Sequence, residues 1–203
     1  MESKTPSQNI IVSFFIKIGQ LFTAVFNFLF AGPIFTIFLV IIILIRIFVA
    51  EPFLVYGSSM EPNFETGDYL IVDELTYKLE KPSRGDVVVL RPPTDESKHY
   101  IKRIIGLPGE SISVNGSIVK ITNKEHPEGF TLNEPYITFQ SERVANYNLN
   151  DHEYFVMGDN RAVSSDSRIW GPLPENLITG RALIRILPLK DLGIMPGKVN
   201  LPQ

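Results

Sequence analysis

The sequence predicts a mainly β protein in which an N-terminal transmembrane helix is followed by an antiparallel β-sheet domain. Two observations predict this arrangement. Residues 31–50 are almost continuously apolar, whereas the chain from Glu51 onward consists of short β-rich runs separated by turn residues. We therefore divide the chain into a membrane anchor at residues 1–50 and a β domain at residues 51–203.

The anchor is predicted from the run Ile34–Val49, which is dense in Ile, Leu, Phe and Val and is interrupted only by Thr36 and Arg46. A transmembrane helix needs about 20 mostly apolar residues, and residues 31–50 meet that length. Arg46 lies one turn from the end, where its charged head can extend to the membrane interface. A cleavable signal peptide is disfavoured, because the apolar stretch is too long and no site has small residues at both cleavage positions.

Residues 10–30 are also apolar but include Lys17, Gln20 and Asn27. This segment could lie in the membrane interface, continue the anchor helix or form a second span. Only Ala31-Gly32-Pro33 separates it from the anchor, which is short for a helical hairpin. We therefore expect a single span.

The β domain is predicted from runs rich in β-branched and aromatic residues. Within one of them, Asn115-Gly116 stands between alternating apolar residues and predicts a two-residue hairpin turn. Prolines recur through the domain and argue against long helices. The predicted strands are Tyr69–Val72, Asp86–Leu90, Ile112–Val119 as a hairpin, Glu153–Met157 and Gly180–Ile186.

Composition excludes several kinds of function. The chain has no cysteine, so it has no thiol nucleophile, thiolate metal site or disulfide. His99, His126 and His152 lie far apart and match no metal-ligand spacing, so no metal or other cofactor is expected. The β domain is mildly acidic, which is not the charge pattern of a nucleic-acid-binding protein.

A reaction without cysteine or metal needs a nucleophilic hydroxyl, a base and donors for an oxyanion. A serine in a tight turn is present in Gly57–Pro62, directly after the anchor. A lysine can be the base if burial lowers its pKa, and Lys102 lies in the apolar run Tyr100–Ile105. In a strand Lys102 and Arg103 point to opposite sides, so we expect one to be buried and the other solvated.

Four short motifs in this order resemble those of type I signal peptidases. They follow directly on the predicted membrane span and cover nearly the whole β domain. The motifs are Ser59-Met60-x-Pro62 with Gly67-Asp68, then Arg84–Val89, then Tyr100–Gly109, and finally Met157–Arg161 with Ser164–Arg168.

The resemblance implies a Ser-Lys serine protease. Ser59 is then the nucleophile, whose backbone N–H donates to the oxyanion, and Lys102 is the general base. Ser164 matches a hydroxyl that orients the lysine, and Asp166 and Arg168 match a charged pair beside the site. Asp159 and Arg161 are interpreted as loop scaffolding. The substrate pocket is expected to be formed by Phe53, Val55, Met60, Leu70, Val89, Tyr100 and Ile101.

Three positions depart from the motifs. Gly57 stands where some relatives have a serine that completes the oxyanion hole, so a backbone N–H or Ser58 must contribute instead. Asn63 replaces a threonine, and Ala162-Val163 replaces Asp-Asn before Ser164. None of these changes removes the predicted Ser-Lys pair.

The resemblance also implies partners and a location. The expected substrates are signal peptides of exported preproteins, cut in a bilayer by a monomeric enzyme without cofactor or nucleic acid. The expected location is a bacterial plasma membrane, with one span and the catalytic domain on the extracytoplasmic side. Two alternatives are a self-cleaving Ser-Lys regulator, which normally carries a DNA-binding domain and no anchor, and an inactive membrane-tethered binding module.

Overall fold

The structure, a computed structural model, describes residues 6–28, 32–48 and 50–203. The chain divides into two compact units, Met1–Ile47 and Phe48–Gln203. The first contains the helices α1 (Pro6–Phe26) and α2, which spans Gly32–Phe48 and ends just inside the second unit. In the described ranges, no helix combines the length and the hydropathy needed to cross a membrane. The anchor therefore stays a prediction, and its residues 31 and 49 lie outside the described residues.

The second unit consists of strands joined by turns and a few single helical turns. Its short helices are α3 (Thr76–Leu79) and α4 (Ser167–Trp170). Its strands are β1 (Ala50–Leu54), β2 (Tyr69–Asp73), β3 (Val87–Leu90), β4 (Tyr100–Gly106), β5 (Ser111–Asn115), β6 (Ile118–Thr122), β7 (Phe130–Thr131), β8 (Val144–Asn148), β9 (Glu153–Met157), β10 (Leu173–Pro174), β11 (Ile178–Leu187) and β12 (Gly193–Ile194).

The larger sheet has eight strands in the order β1-β2-β11-β3-β4-β9-β10, with β12 added to β11. Its strand pairs are antiparallel, which confirms the predicted sheet type. Strand β11, although late in the sequence, lies between β2 and β3, where Ala182 pairs with Val72 and Arg181 pairs with Val88. The middle of the sheet therefore forms from segments that are distant in the chain.

The smaller sheet has the order β7-β6-β5-β8. The predicted hairpin at Asn115-Gly116 is confirmed, because Asn115 pairs with Ile118 and Gly116 adopts a φ of 61°. That left-handed φ is one that glycine adopts without steric penalty. On one face of this hairpin Ile112, Val114, Val119 and Ile121 are buried, as alternation along a strand requires.

Most of the predicted strands coincide with observed ones. The runs at Tyr69–Val72, Asp86–Leu90, Glu153–Met157 and Gly180–Ile186 correspond to β2, β3, β9 and β11. Strand β1 was not predicted, because its residues follow the apolar run of the anchor without a turn signal. Its pairing partner, Tyr69–Asp73, becomes visible only in three dimensions.

Candidate active site

A groove of about 330 Å³ opens on the larger sheet. Phe53 and Val55 line it from β1 and the residues that follow, and Tyr100, Ile101 and Lys102 line it from β4. Leu70 of β2 and Val89 of β3 lie between these two walls in strand order. Strands β1 and β4 are four positions apart, about 19 Å in a flat sheet. The ring centroids of Phe53 and His99 are nevertheless only 5.4 Å apart, so the sheet curls until the two walls meet.

Met60 is the predicted pocket residue that the structure places elsewhere. Its side chain is 1% exposed and belongs to the hydrophobic core that includes Phe64 and Leu70. Its sulfur also accepts a hydrogen bond from the Asp159 N–H at 3.4 Å. Alternation around the turn points Met60 inward while its neighbour Ser59 faces the groove, so Met60 supports the groove from below.

The hydroxyl of Ser59 and the amine of Lys102 meet at one end of the groove. Lys102 Nζ lies 2.8 Å from Ser59 Oγ and donates a second hydrogen bond, also of 2.8 Å, to the carbonyl oxygen of Ile101. Lys102 is 3% exposed. The turn that carries Ser59 begins at Gly57, whose φ of 100° is readily adopted only by glycine. The hydroxyl and the amine are thus within hydrogen-bond distance, as a nucleophile and its general base require.

Burial controls the charge of Lys102. Removal from water disfavours the ammonium form and lowers the pKa of Lys102 to about 8. The carboxylates of Asp166 and Asp159 act in the opposite direction, and the guanidinium of Arg168 adds to the lowering. A useful fraction of the amine is therefore neutral near neutral pH, as a general base requires.

The orienting hydrogen bond expected from Ser164 to Lys102 is absent from the structure. Ser164 Oγ is buried and has no hydrogen-bond partner of normal geometry among residues 6–28, 32–48 and 50–203. It lies close enough to Asp166 to help lower the pKa of that carboxyl. The lysine is held instead by the carbonyl of its own neighbour, Ile101. Sequence matching identified the hydroxyl near the site but not its partner.

Asp166 and Arg168 form a fully buried ion pair behind the site. The guanidinium donates from Nε and from an Nη atom to the two carboxylate oxygens, both at 2.8 Å. Asp166 also caps α4 by accepting the Arg168 N–H, and it accepts the Gly158 N–H at 3.0 Å. Burial acts to raise the pKa of Asp166, but the bonds from Arg168 and Gly158 outweigh it and lower the pKa. The pair therefore fixes the loop that carries Ser164.

The expectation that one of Lys102 and Arg103 is solvated is wrong, because both are buried. Lys102 and Arg103 point to opposite sides of β4, but Arg103 is 0% exposed as well. Its guanidinium donates to both oxygens of Asp159, at 2.8 and 2.6 Å, and to the Gly85 carbonyl at 2.9 Å. Asn63 donates a further bond of 2.9 Å to Asp159. Asp159 thus links the base strand to the turn that follows the nucleophile.

Arg161 is a second buried arginine that stabilises the loop beside the site. Its side chain is 1% exposed, pairs with Glu134 and donates from Nε to the Gly158 carbonyl at 2.9 Å. The loop at residues 158–161 is therefore held by two buried arginines, Arg103 through Asp159 and Arg161 directly.

The possible oxyanion donors near Ser59 differ in availability. The Gly57 N–H donates to Thr66 Oγ1 at 2.9 Å and is therefore engaged. The backbone N–H of Ser59 has no hydrogen-bond acceptor within the described part of the chain, and Ser58 lines the groove. The Gly57 N–H is therefore not available for an oxyanion, whereas the Ser59 N–H and the Ser58 side chain are not excluded.

Gly158 is a site residue that sequence reasoning did not single out. A Cβ at this position would collide with the Ser59 carbonyl oxygen and with Ser164 Oγ. The Ser59 carbonyl also accepts a hydrogen bond from the Asn160 N–H at 3.0 Å. The turn that carries Ser59 is therefore in direct contact with the loop at residues 158–161. The sequence signal for this close approach is the glycine within the motif Met157–Arg161.

The Gly158→Ala variant is expected to lose activity while it keeps its fold. The added methyl group displaces the backbone of Ser59, and a displacement near 1 Å costs about 100-fold in rate. The measurement is kcat/KM on a peptide substrate, with tryptophan fluorescence as the test of folding. Gly193→Ala is the matched control, since the nearest atom to its added Cβ is 3.9 Å away. Unchanged kcat/KM for Gly158→Ala would contradict a role of this contact in positioning Ser59.

Five further residues line the groove without having been predicted. Tyr56 is 90% exposed beside the nucleophile turn, and Val163 is 61% exposed in the dipeptide that departs from the motif. Leu54, His99 and Ser165 complete the lining. His99 could have been found, because it is two residues from Ile101 and shares its face of an extended chain. Within the described residues, no group of His, Cys, Asp and Glu side chains is arranged to hold a metal ion.

Residues 29–187 match the family described as signal peptidase, peptidase S26. The chain is 38% identical to a probable signal peptidase I-1 of Synechocystis sp., over 79% of this chain and 83% of that protein. It is 34% identical to a signal peptidase I of Bacillus amyloliquefaciens, over 74% and 80% of the two chains. Among solved structures, a signal peptidase I of Enterococcus faecalis is 26% identical, with 50% and 97% coverage and a TM-score of 0.41.

Proposed function

Because the chain belongs to the peptidase S26 family of signal peptidases, we propose that it cleaves signal peptides from exported preproteins through a Ser59–Lys102 pair. The observation that carries the catalytic assignment is the 2.8 Å contact between Lys102 Nζ and Ser59 Oγ at an apolar groove. Ser59 is the nucleophile and Lys102 the general base. No cofactor takes part in the proposed reaction.

The proposed reaction begins with the cleavage segment extended in the groove. Neutral Lys102 takes the hydroxyl proton as Ser59 Oγ attacks the scissile carbonyl carbon. The backbone N–H of Ser59 and the hydroxyl of Ser58 donate to the oxyanion, because the Gly57 N–H is already engaged by Thr66. The protonated lysine then gives its proton to the leaving amine. Water attacks the acyl-enzyme and releases the signal peptide.

We assign supporting roles to three residues. Ser164 has a buried hydroxyl without a described partner, so it is able to accept a hydrogen bond from Lys102 once the lysine is protonated. Asp166 and Arg168 keep the Ser164 loop in place through their buried ion pair. These three residues act on the lysine and not on the substrate.

We propose that residues 31–50 anchor the protein, with one span, in a bacterial plasma membrane. The apolar composition of this stretch supports the assignment, as do exposed side chains on α2 such as Phe35 and Phe38, at 66% and 60%. An anchored enzyme with its catalytic domain on the extracytoplasmic side meets its substrates where they emerge from the membrane. We further propose that it works as a monomer.

The pH dependence of cleavage is expected to follow the charge of Lys102. Because only the neutral amine accepts a proton, kcat/KM should rise about tenfold per pH unit below a pKa of about 8 and level off above it. The measurement is kcat/KM on a soluble peptide from about pH 6 to about pH 10. Asp166, whose pKa is lowered, stays ionised throughout this range. A flat profile would contradict Lys102 as the base.

The proposed function is tested by cleavage of a separate precursor. The full chain in detergent micelles is incubated with a precursor that carries Ala-x-Ala before the cut, and the products are identified by mass spectrometry. We expect a single cut after the second alanine and no cut in a matched precursor with tryptophan there. Absence of any cut in the first precursor would favour a binding module. Cleavage of the chain itself alone would favour a self-cleaving regulator.

A further inference from the structure

A segment outside the four motifs contacts each part of the chain that carries the candidate site. We call Glu134–Phe139 the bridging loop. It lies between β7 and β8, and a turn closes it, in which the Ile137 N–H donates to the Glu134 carbonyl at 3.2 Å. None of its residues, which the structure describes in full, lines the groove. Any effect of this loop on the reaction must therefore act through other residues.

Tyr136 connects the turn after the nucleophile to the strand of the base. Its carbonyl oxygen accepts a hydrogen bond of 3.1 Å from Asn63 Nδ2. Its ring covers the guanidinium of Arg103, whose Cζ lies 4.2 Å from the ring centroid, within the range of a cation–π contact. The edge of that guanidinium is used for Asp159 and two backbone carbonyls, so the ring occupies a face that the hydrogen bonds leave open. Asn63 and Arg103 are thus held by one residue.

Glu134 connects the bridging loop to the loop at residues 158–161. Its carboxylate accepts two hydrogen bonds from the guanidinium of Arg161, and the side chains of Arg161 and Glu134 are 1% and 5% exposed. The Arg161 N–H also donates to the Phe139 carbonyl at 3.0 Å. The hydroxyl of Tyr136 donates to the same carboxylate at 2.6 Å, and burial, together with the charge of Glu134, raises the pKa of Tyr136, so the hydroxyl keeps its proton. The ring is thereby fixed in one orientation.

We propose that Tyr136 is a positioning residue for the reaction, which holds the turn of Ser59 and the strand of Lys102 at hydrogen-bonding distance. The inference rests on the peptidase function proposed above. Asn63 is four residues after Ser59 in the same turn. Arg103 is adjacent to Lys102 in β4. Each contact of Tyr136 therefore lies on the segment of one reacting side chain. Because Tyr136 does not reach the groove, it acts on the distance between hydroxyl and amine and not on substrate binding.

Tyr136→Leu removes the ring from Arg103, so β4 is no longer fixed relative to the nucleophile turn. We expect kcat to fall about tenfold with KM unchanged, since a displacement near 1 Å costs about 100-fold and the backbone contact to Asn63 remains. Tyr136→Phe keeps the ring and should have the kcat of the wild type. The measurement is kcat and KM on an Ala-x-Ala peptide, with the full chain in detergent micelles.

Tyr147→Leu is the matched control, because Tyr147 is also a half-buried tyrosine packed against the same hydrophobic core. Its ring contacts Phe155, with the centroids 5.7 Å apart, and is not part of the groove lining. Both leucine variants should lose stability in urea, but only Tyr136→Leu should lose kcat under conditions in which circular dichroism shows an intact fold. Unchanged kcat in Tyr136→Leu, or an equal loss of kcat in Tyr147→Leu, would overturn the proposal.

A thiol reporter separates this inference from the proposed function. The chain has no cysteine, so Ser59→Cys introduces a single thiol, whose alkylation by iodoacetamide needs no peptidase activity. A neighbouring ammonium lowers the pKa of a thiol below its ordinary value of about 8.5, so the contact with Lys102 should shift the alkylation rate to lower pH.

Adding Tyr136→Leu to Ser59→Cys is expected to move this pH profile back towards about 8.5, whereas Tyr136→Phe and Tyr147→Leu should leave it in place. A profile that moves in this way supports the positioning role, whether or not the wild type cleaves the precursor. An identical profile with and without Tyr136→Leu would overturn it, even if the wild type proves to be an active peptidase.

Discussion

Replacing Ser59 by alanine is expected to lower kcat for precursor cleavage by about 10⁴-fold or more, because the variant has no atom that can form the acyl-enzyme. Among the described residues, Ser59 has the hydroxyl to which Lys102 Nζ is hydrogen-bonded, and the second hydrogen bond of Nζ goes to the Ile101 carbonyl. The measurement is single-turnover cleavage of the Ala-x-Ala precursor. Labelling by a β-lactam-type acylating probe should be lost with the activity.

Lys102→Met is expected to give a loss of similar size, and combining it with Ser59→Ala should reduce kcat little further, because the two residues act as a unit. Lys102→Arg should be equally inactive, since a guanidinium does not release its proton at these pH values. Lys98→Ala, an exposed lysine nearby, is the control and should retain activity. Substantial turnover by Lys102→Arg would refute the assignment of the base.

These losses must not come from unfolding. Lys102→Met removes an amine whose pKa is lowered by burial, so its charged form opposes folding at neutral pH. The free energy of unfolding of this variant is therefore not expected to fall. Trp170, the only tryptophan in the sequence, packs against the core of the catalytic unit and reports its unfolding by fluorescence.

Replacing Arg103 by methionine is expected to lower the free energy of unfolding by about 3–5 kcal/mol. The change leaves the carboxylate of Asp159 buried without its cation, and breaking a buried pair from one side has a penalty of this size. The measurement is urea denaturation in detergent followed by Trp170 fluorescence. Activity should fall as well, because Asp159 joins β4 to Asn63 after the nucleophile turn.

Two variants control this experiment. Arg91→Met breaks an exposed pair with Glu96, in which the atoms are 3.8 Å apart, and should change stability by less than about 1 kcal/mol. The double variant Arg103→Met with Asp159→Leu removes both charges and should recover much of the lost stability. If Arg103→Met alone is as stable as the wild type, the buried pair does not hold the site together.

The sequence predicted the strands better than it predicted the environment of each side chain. The hairpin at Asn115-Gly116 could be read locally, because the turn residues and the alternating apolar positions are adjacent in the chain. The burial of Arg103 could not, because its partner Asp159 is 56 residues away. Without that carboxylate, a charged residue in a strand is expected to be solvated.

In the candidate site, too, the residues were predicted from the sequence but their contacts were not. Motif matching identified Ser59 and Lys102, which the structure brings into hydrogen-bond distance. It did not reveal that Ile101, not Ser164, accepts the hydrogen bond from the lysine, because a backbone carbonyl has no signature in the sequence. The inward position of Met60 and the ring contact of His99 depend on how the sheet curls, which no local pattern encodes.

The central place of β11 in the larger sheet has a consequence for the synthesis of the chain. Strand β11 (Ile178–Leu187) separates β2 from β3, so the groove walls cannot face each other until this late segment has been made and inserted. Ser59 and Lys102 leave the ribosome long before that point. A nascent chain therefore carries both side chains before the groove is assembled, and the groove that holds Ser59 and Lys102 can form only after β11 has been made.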